Sequence, residues 1–216
     1  MRTGIMGGTF NPPHLGHLHA AECVKDALGL DKVLFVPTNL PPHKKMPAGS
    51  ADTKQRCEMV ERMLEGRGWA ELSTIEIDRG GASYTIDTVR ALYETREYGE
   101  LFLIMGTDML MMLDYGWREP QEICRLCTLA VVARGAGQQG ELQKKAALLR
   151  EKYHADIRLV DCPVVEISST QLRAGLAQKW RGLSSVRAGR RPQRRRNPHC
   201  QAAGVPEISG QGSLDA

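Results

Sequence analysis

Short apolar runs alternating with stretches of helical periodicity limit what this chain can fold into more than any other feature. Thr3–Met6, Val33–Val36, Leu101–Met105 and Leu129–Ala133 are largely continuous in their apolar residues rather than strictly alternating. Strands of that kind are covered on both faces, the condition of a parallel sheet. Between them Leu18, Ala21, Val24 and Leu28 recur at helical spacing, and Cys57, Val60 and Leu64 form one stripe from Thr53 to Leu64. Pro12 and Pro13 suit a first helical turn, where proline is tolerated. Further helices are expected near Thr85–Arg96, at Met109–Leu113, over Glu141–Tyr153 and from Ser169 to Ala177, with strands near Glu71–Ile77 and Ile157–Val160. This order implies right-handed crossovers and an α/β chain: an open, doubly wound parallel sheet with helices on both faces and ligands beyond the carboxyl ends of the strands.

A chain of 216 residues with 42% hydrophobic and 25% charged residues holds enough apolar surface for one sizeable core, which excludes a disordered or fibrous polymer. No apolar run nears the roughly 18 residues of a membrane span, and the chain enters its first strand without signal-peptide architecture, so a cytoplasmic location is expected. The six cysteines are scattered along the chain, and reduced thiols are the expectation. Cys124 and Cys127 have C-x-x-C spacing without a second pair or a nearby histidine, so no protein metal site is expected. The net charge of +4 is local: residues 178–216 hold eight Lys/Arg against two Asp/Glu, which leaves 29 − 8 = 21 basic and 25 − 2 = 23 acidic residues in 1–177. The organisation expected is a folded domain over 1–177 and a basic, disordered tail over 178–216, with a Gly/Gln loop at Gly135–Gly140 inside the domain.

Gly7-Gly8-Thr9-Phe10-Asn11-Pro12-Pro13-His14-Leu15-Gly16-His17 joins the first strand to the first helix. Glycines let backbone amides approach phosphate oxygens, the helix N-terminus adds the positive end of a dipole, and His14 and His17 lie three apart on one face. An imidazole there can hydrogen-bond a nonbridging oxygen and stabilise charge that develops during nucleotidyl transfer. A buried core histidine beside a capping one is the bland alternative.

His14-Leu15-Gly16-His17 resembles the H-x-G-H signature of the nucleotidyltransferase superfamily. Pro41-Pro42-His43-Lys44, Ser83-Tyr84-Thr85-Ile86-Asp87-Thr88, Ile104-Met105-Gly106-Thr107-Asp108 and Ile167-Ser168-Ser169-Thr170 with Arg173 follow in order. Together these blocks resemble the bacterial nicotinate-nucleotide adenylyltransferases over residues 1 to about 177. The resemblance implies a Rossmann-like fold, ATP with Mg²⁺ carried on it, and nicotinate mononucleotide as acceptor, and it leaves homo-oligomerisation open. It assigns catalysis to His14, His17 and Lys44, and ATP binding to Gly7, Gly8, Gly16, His17, Gly106, Asp108, Ser168, Ser169, Thr170 and Arg173. It assigns the mononucleotide to Thr9, Phe10, Lys44, Ser83, Tyr84, Thr85 and Trp117.

Several of these residues have ordinary uses as well. Lys44 can swing onto a triphosphate or remain a solvated surface lysine. Ser168–Thr170 can cap a helix or, with the fork of Arg173, cradle phosphate. Asp108 can hold ribose hydroxyls or act as an N-cap, and Trp117 can stack on a base or pack in the core. The amides that open the Thr85 helix suit a pyridine carboxylate better than an amide, although Asp87 is close by.

The expected reaction is in-line attack of the acceptor phosphate on the α-phosphorus of ATP, without a covalent intermediate. The nearest rivals are adenylyltransferases acting on nicotinamide mononucleotide or phosphopantetheine, and a cytidylyltransferase. A class I aminoacyl-tRNA synthetase needs more chain. A non-catalytic phosphate- or nucleic-acid-binding role would rest on the six arginines between Arg187 and Arg196, but no aromatic residues interleave them, and no specific nucleic-acid partner is expected. The resemblance stops near Lys179: in place of an apolar last helix containing tyrosine the chain gives arginine, proline and glycine, the pattern of an out-of-frame or truncated ending.

Overall fold

The computed structural model describes residues 1–42, 46–133, 139–163, 165 and 167–176. The strands are β1 (Arg2–Gly8), β2 (Lys32–Pro37), β3 (Ala70–Leu72), β4 (Glu100–Gly106), β5 (Thr128–Ala133) and β6 (Ile157–Asp161). The helices are α1 (Leu15–Leu28), α2 (Thr53–Leu64), α3 (Ile75–Arg79), α4 (Thr85–Thr95), α5 (Thr107–Gly116), α6 (Pro120–Leu126) and α7 (Gln139–Tyr153), followed by α8 over 169–176. Every strand pair is parallel, and the sheet runs β3-β2-β1-β4-β5-β6. This is the Rossmann-like α/β architecture.

Side chains alternate between two cores because successive residues of a strand point to opposite faces. Ile5, Leu34, Leu103 and Val131 face a core closed by α4, α5, α6 and α7. Met6, Phe35, Ile104 and Val132 face a second one closed by α1 and α2. Each of these strand residues is at most 7% exposed, and burying one such side chain is worth about 1.5–3 kcal/mol. Both faces of the sheet are therefore held by apolar burial, as the continuous runs require. Among the described residues no helix is long and apolar enough to cross a membrane.

The structure corrects several expectations. The strand expected over Glu71–Ile77 ends at Leu72; Ser73 N still donates to Phe35 O (2.9 Å), after which Thr74 O accepts from the amides of Ile77 and Asp78 and starts α3. Pro12 and Pro13 precede α1 rather than entering it, because extended His14 is its N-cap. On α2 the buried residues are Arg56, Val60 and Leu64, spaced by four, and Cys57 is only half-buried. Gly106, not Asp108, caps α5, and Asp108 lies in the first turn. Helix α6 has no counterpart in the sequence expectations, although Pro120 at its start is a recognised opening signal. Cys124 and Cys127 are buried in the core, as a shared apolar face would have them; burial raises the Cys124 thiol to about 11 and pushes that of Cys127 up as well. Helix α7 opens at Gln139, two residues before the expected start, and the rest of the Gly/Gln loop, 135–138, lies outside the described residues, as do Ala177 and the basic tail.

Candidate active site

The connection from β1 leads to β2 on one side and that from β4 to β5 on the other, so a crevice opens where the carboxyl ends of β1 and β4 meet. Two cavities occupy it, of about 270 and 420 Å³. Gly7, Ile104 and Met109 line both, so the cavities share a wall.

The larger cavity lies between the N-termini of α1 and α5, lined by Gly16 and His17 on one side and by Gly106, Thr107 and Asp108 on the other. Two helix N-termini facing one space favour an anion. A Cβ at Gly7 would meet no atom within 4 Å, which leaves the backbone there open to a ligand. His17 is the third residue of α1, and its Nδ1 accepts from the His14 backbone amide (3.2 Å). In the neutral ring that bond places the proton on Nε2, the nitrogen able to donate to a ligand. The His14 and His17 rings stack with centroids 3.7 Å apart. A Cβ at Gly16 would sit 3.0 Å from His14 Nδ1, so any larger residue there would press the His14 ring from its place by a few tenths of an ångström. Asp108 is the one carboxylate among the described residues lining this cavity, enough for a single metal contact and too little for a protein-built cation cage.

Helix α8 docks on the turn before α1. Ser169 Oγ donates to Pro12 O (2.8 Å), Arg173 Nη1 to Asn11 O (2.5 Å) and Arg173 Nη2 to Thr170 Oγ1 (3.1 Å). Ser168 pairs with Gln171: the Gln171 amide donates to Ser168 Oγ (3.2 Å), and Ser168 N donates to Gln171 Oε1 (2.9 Å). Thus Ser168 caps the helix, while Ser169 and Arg173 bind it to the segment that carries the imidazoles. The Ile167 carbonyl lies 3.7 Å from the position of a Gly16 Cβ. The expected phosphate-binding residues from the two ends of the domain thus lie side by side.

The smaller cavity is framed by Gly8, Ser83, Tyr84, Thr85, Trp117 and Arg118. Tyr84 is the N-cap of α4 and Thr85 its first residue, so the free amides of that helix open here. The Arg118 guanidinium sits 5.0 Å from the Tyr84 ring centroid. Ser83 Oγ accepts from Asn39 N (2.9 Å) and ties the β2–α2 loop to the cavity. Thr9 and Phe10, expected to meet the mononucleotide, line neither cavity. Phe10 is 2% exposed and sits edge-on to His17 with centroids 5.1 Å apart, so it supports that imidazole from within the core. Lys44 lies outside the described residues.

Two buried charged residues escaped the sequence reading. Arg56, 2% exposed, donates to Thr9 O (2.8 Å) and Asn39 O (3.4 Å) and so clamps the glycine turn to the β2–α2 loop; burial lowers its pKa. Its place in the Val60–Leu64 stripe was a signal, because an arginine in an apolar stripe requires buried partners. Glu76 lines the smaller cavity at 6% exposure, with Oε1 accepting from Thr88 Oγ1 (2.8 Å) and Oε2 without a hydrogen-bond partner among the described residues. Burial raises its pKa, opposed by the neighbouring hydroxyls of Ser83 and Thr88.

Residues 5–175 match the cytidylyltransferase-like family. A Listeria innocua protein named "Probable nicotinate-nucleotide adenylyltransferase" is 37% identical over 172 residues, which are 80% of this chain and 84% of that one. A Desulfitobacterium hafniense protein of the same name is 38% identical over 175 residues, 80% of this chain and 83% of the other. Among solved structures, Plasmodium falciparum nicotinic acid mononucleotide adenylyltransferase complexed with NaAD superposes with a TM-score of 0.64 at 16% identity, over 80% of this chain and 82% of its own. At that identity the likeness is one of fold.

Proposed function

Since this chain belongs to the cytidylyltransferase-like family, with nicotinate-nucleotide adenylyltransferases as relatives over four-fifths of its length, we propose that its two cavities hold the two substrates of one adenylyl transfer. The protein is a nucleotidyltransferase: it moves the adenylyl group of ATP to nicotinate mononucleotide and releases pyrophosphate, a step of NAD biosynthesis. The observation that carries the two-cavity reading is the shared wall at Gly7 and Ile104. Substrates lying on either side of that wall would have their phosphates adjacent.

In this reading ATP lies between α1 and α5, with Gly106 and Asp108 at its nucleoside and the triphosphate over Gly7, Gly16 and the imidazoles. The acceptor phosphate attacks the α-phosphorus in line. His17 Nε2–H donates to the oxygens that gain charge, His14 fixes that ring by stacking, and the amides at the α1 N-terminus add their dipole. Ser169, Thr170 and Arg173 border the leaving pyrophosphate, and Lys44 supplies a further cation. A divalent cation accompanies ATP in this class of reaction; we take it to be magnesium, which neutralises triphosphate charge when bound. The pyridine ring lies against Trp117, and its carboxylate meets the α4 amides and Arg118. Burial shifts Glu76 toward its uncharged form, which lessens its repulsion of that carboxylate. Residues 1–177 form the catalytic domain in this account, which operates in the cytoplasm.

The assay that tests it is pyrophosphate release from ATP with nicotinate mononucleotide, nicotinamide mononucleotide or phosphopantetheine offered side by side. The nicotinate form should give the highest kcat/KM. A higher value with either other acceptor would overturn the reading of the smaller cavity.

A further inference from the structure

We propose that His19, Cys23 and Cys162 form a binding site for one zinc ion, outside both nucleotide cavities. His19 and Cys23 are four residues apart on α1 and so share a helix face, and Cys162 follows the last residue of β6. His19 Nε2 and the two Sγ atoms all lie within 4.8 Å of one another. Cys162 is buried, and the other two are half-buried.

The distances fit a soft cation. Zinc holds thiolate sulfur at about 2.3 Å and imidazole nitrogen at about 2.0–2.1 Å in a tetrahedron, which sets an N···S edge near ~3.6 Å and an S···S edge near ~3.8 Å. Cys23 Sγ lies 3.6 Å from His19 Nε2. The two Sγ atoms are 2.6 Å apart, closer than two thiols rest, and a small rotation of one cysteine side chain opens the pair to the zinc edge. Two thiolates and one imidazole select zinc over magnesium or calcium, which prefer oxygen. A cavity of about 20 Å³ lined by His19, Cys162, Gly16 and Ile167 has room for one water as fourth ligand.

The place of the site gives it a use. Helix α1 carries His14 and His17, and the chain beyond Cys162 leads to Ser169 and Arg173. A cation held here ties these two phosphate-binding segments together from behind, without touching substrate.

The test uses the full chain, purified under reducing conditions, stripped with a chelator and titrated with Zn²⁺ against a chromophoric competitor. One zinc per chain should bind, and Co²⁺ in its place should give the near-ultraviolet band of thiolate-to-cobalt charge transfer. His19→Ala, Cys23→Ser and Cys162→Ser should each weaken zinc binding by more than the 10–100-fold, roughly, that losing a ligand's outer partner costs. Cys57→Ser should bind as the parent does. Should Cys162→Ser fail to fold, the half-buried His19→Ala still decides the matter. Absence of stoichiometric zinc, undiminished binding in His19→Ala and Cys23→Ser, or a Cys23–Cys162 disulfide in the reduced preparation would each overturn the site.

Discussion

The two cavities that meet at Gly7 are built by different means. The one between α1 and α5 relies on backbone: glycines, two helix N-termini, and imidazoles fixed by a main-chain hydrogen bond and a stacked neighbour. The one beside α4 relies on side chains: Trp117, Tyr84 under Arg118, and a buried glutamate. A pocket made of backbone dipoles treats any phosphate alike, whereas a pocket made of side chains can choose among acceptors. Changes in the first should therefore act on turnover, and changes in the second on acceptor affinity.

The sharpest challenge to that division is His17→Ala. Loss of a donor to the developing charge should lower kcat by about 10²-fold or more, with little change in the KM for acceptor. Turnover near that of the parent enzyme would remove His17 from the chemistry. Gly16→Ala comes next: its new Cβ presses the His14 ring to give by a few tenths of an ångström, and kcat should fall by about tenfold, short of the roughly 10²-fold that a misplacement of about 1 Å costs. Steady-state kinetics on a variant with unchanged circular dichroism would show it, and parental kcat would mean that the close packing is incidental.

Trp117→Ala should raise the KM for nicotinate mononucleotide by about tenfold, the scale of a lost ring contact, and leave the KM for ATP alone. An equal rise for both substrates would break the division between cavities. The smallest effect belongs to Glu76→Gln and is read as stability against pH. Burial holds the Glu76 proton to higher pH in the folded chain than in the unfolded one. Its ionisation thus costs stability as pH rises from the unfolded value through the raised folded one, and the cost persists above that window. The glutamine variant should melt higher than the parent at neutral pH and equally at acid pH. A lower Tm at neutral pH would show that the carboxylate is satisfied.

The backbone-built half was the more legible in sequence for the same physical reason. Glycines at a strand-to-helix junction and histidines three apart announce their geometry locally, and Gly7, Gly16, His17 and Gly106 all line one cavity. The docking of Ser169 and Arg173 on Asn11 and Pro12 spans more than 150 residues, and no local periodicity encodes it; only the family resemblance linked the two segments. The side-chain half was read less well. Glu76 was hidden inside a strand expected over Glu71–Ile77, because Ile75 and Ile77 alternate with polar residues as a half-buried strand would. The chain bends into α3 at Thr74 instead, and that bend carries Glu76 into the cavity wall. Phe10, expected at the mononucleotide, is buried edge-on to His17 and lines neither cavity. The same distance in sequence conceals the His19, Cys23 and Cys162 cluster, whose cysteines are 139 residues apart.

The most direct test of the two-cavity account is a crystal structure of the protein with its dinucleotide product. The adenosine half should lie between α1 and α5 and the pyridine ring against Trp117, with the pyrophosphate bridge over Gly7 and within hydrogen-bond reach of His17. A product lodged wholly on one side of Gly7, or a bridge remote from His17, would contradict the account.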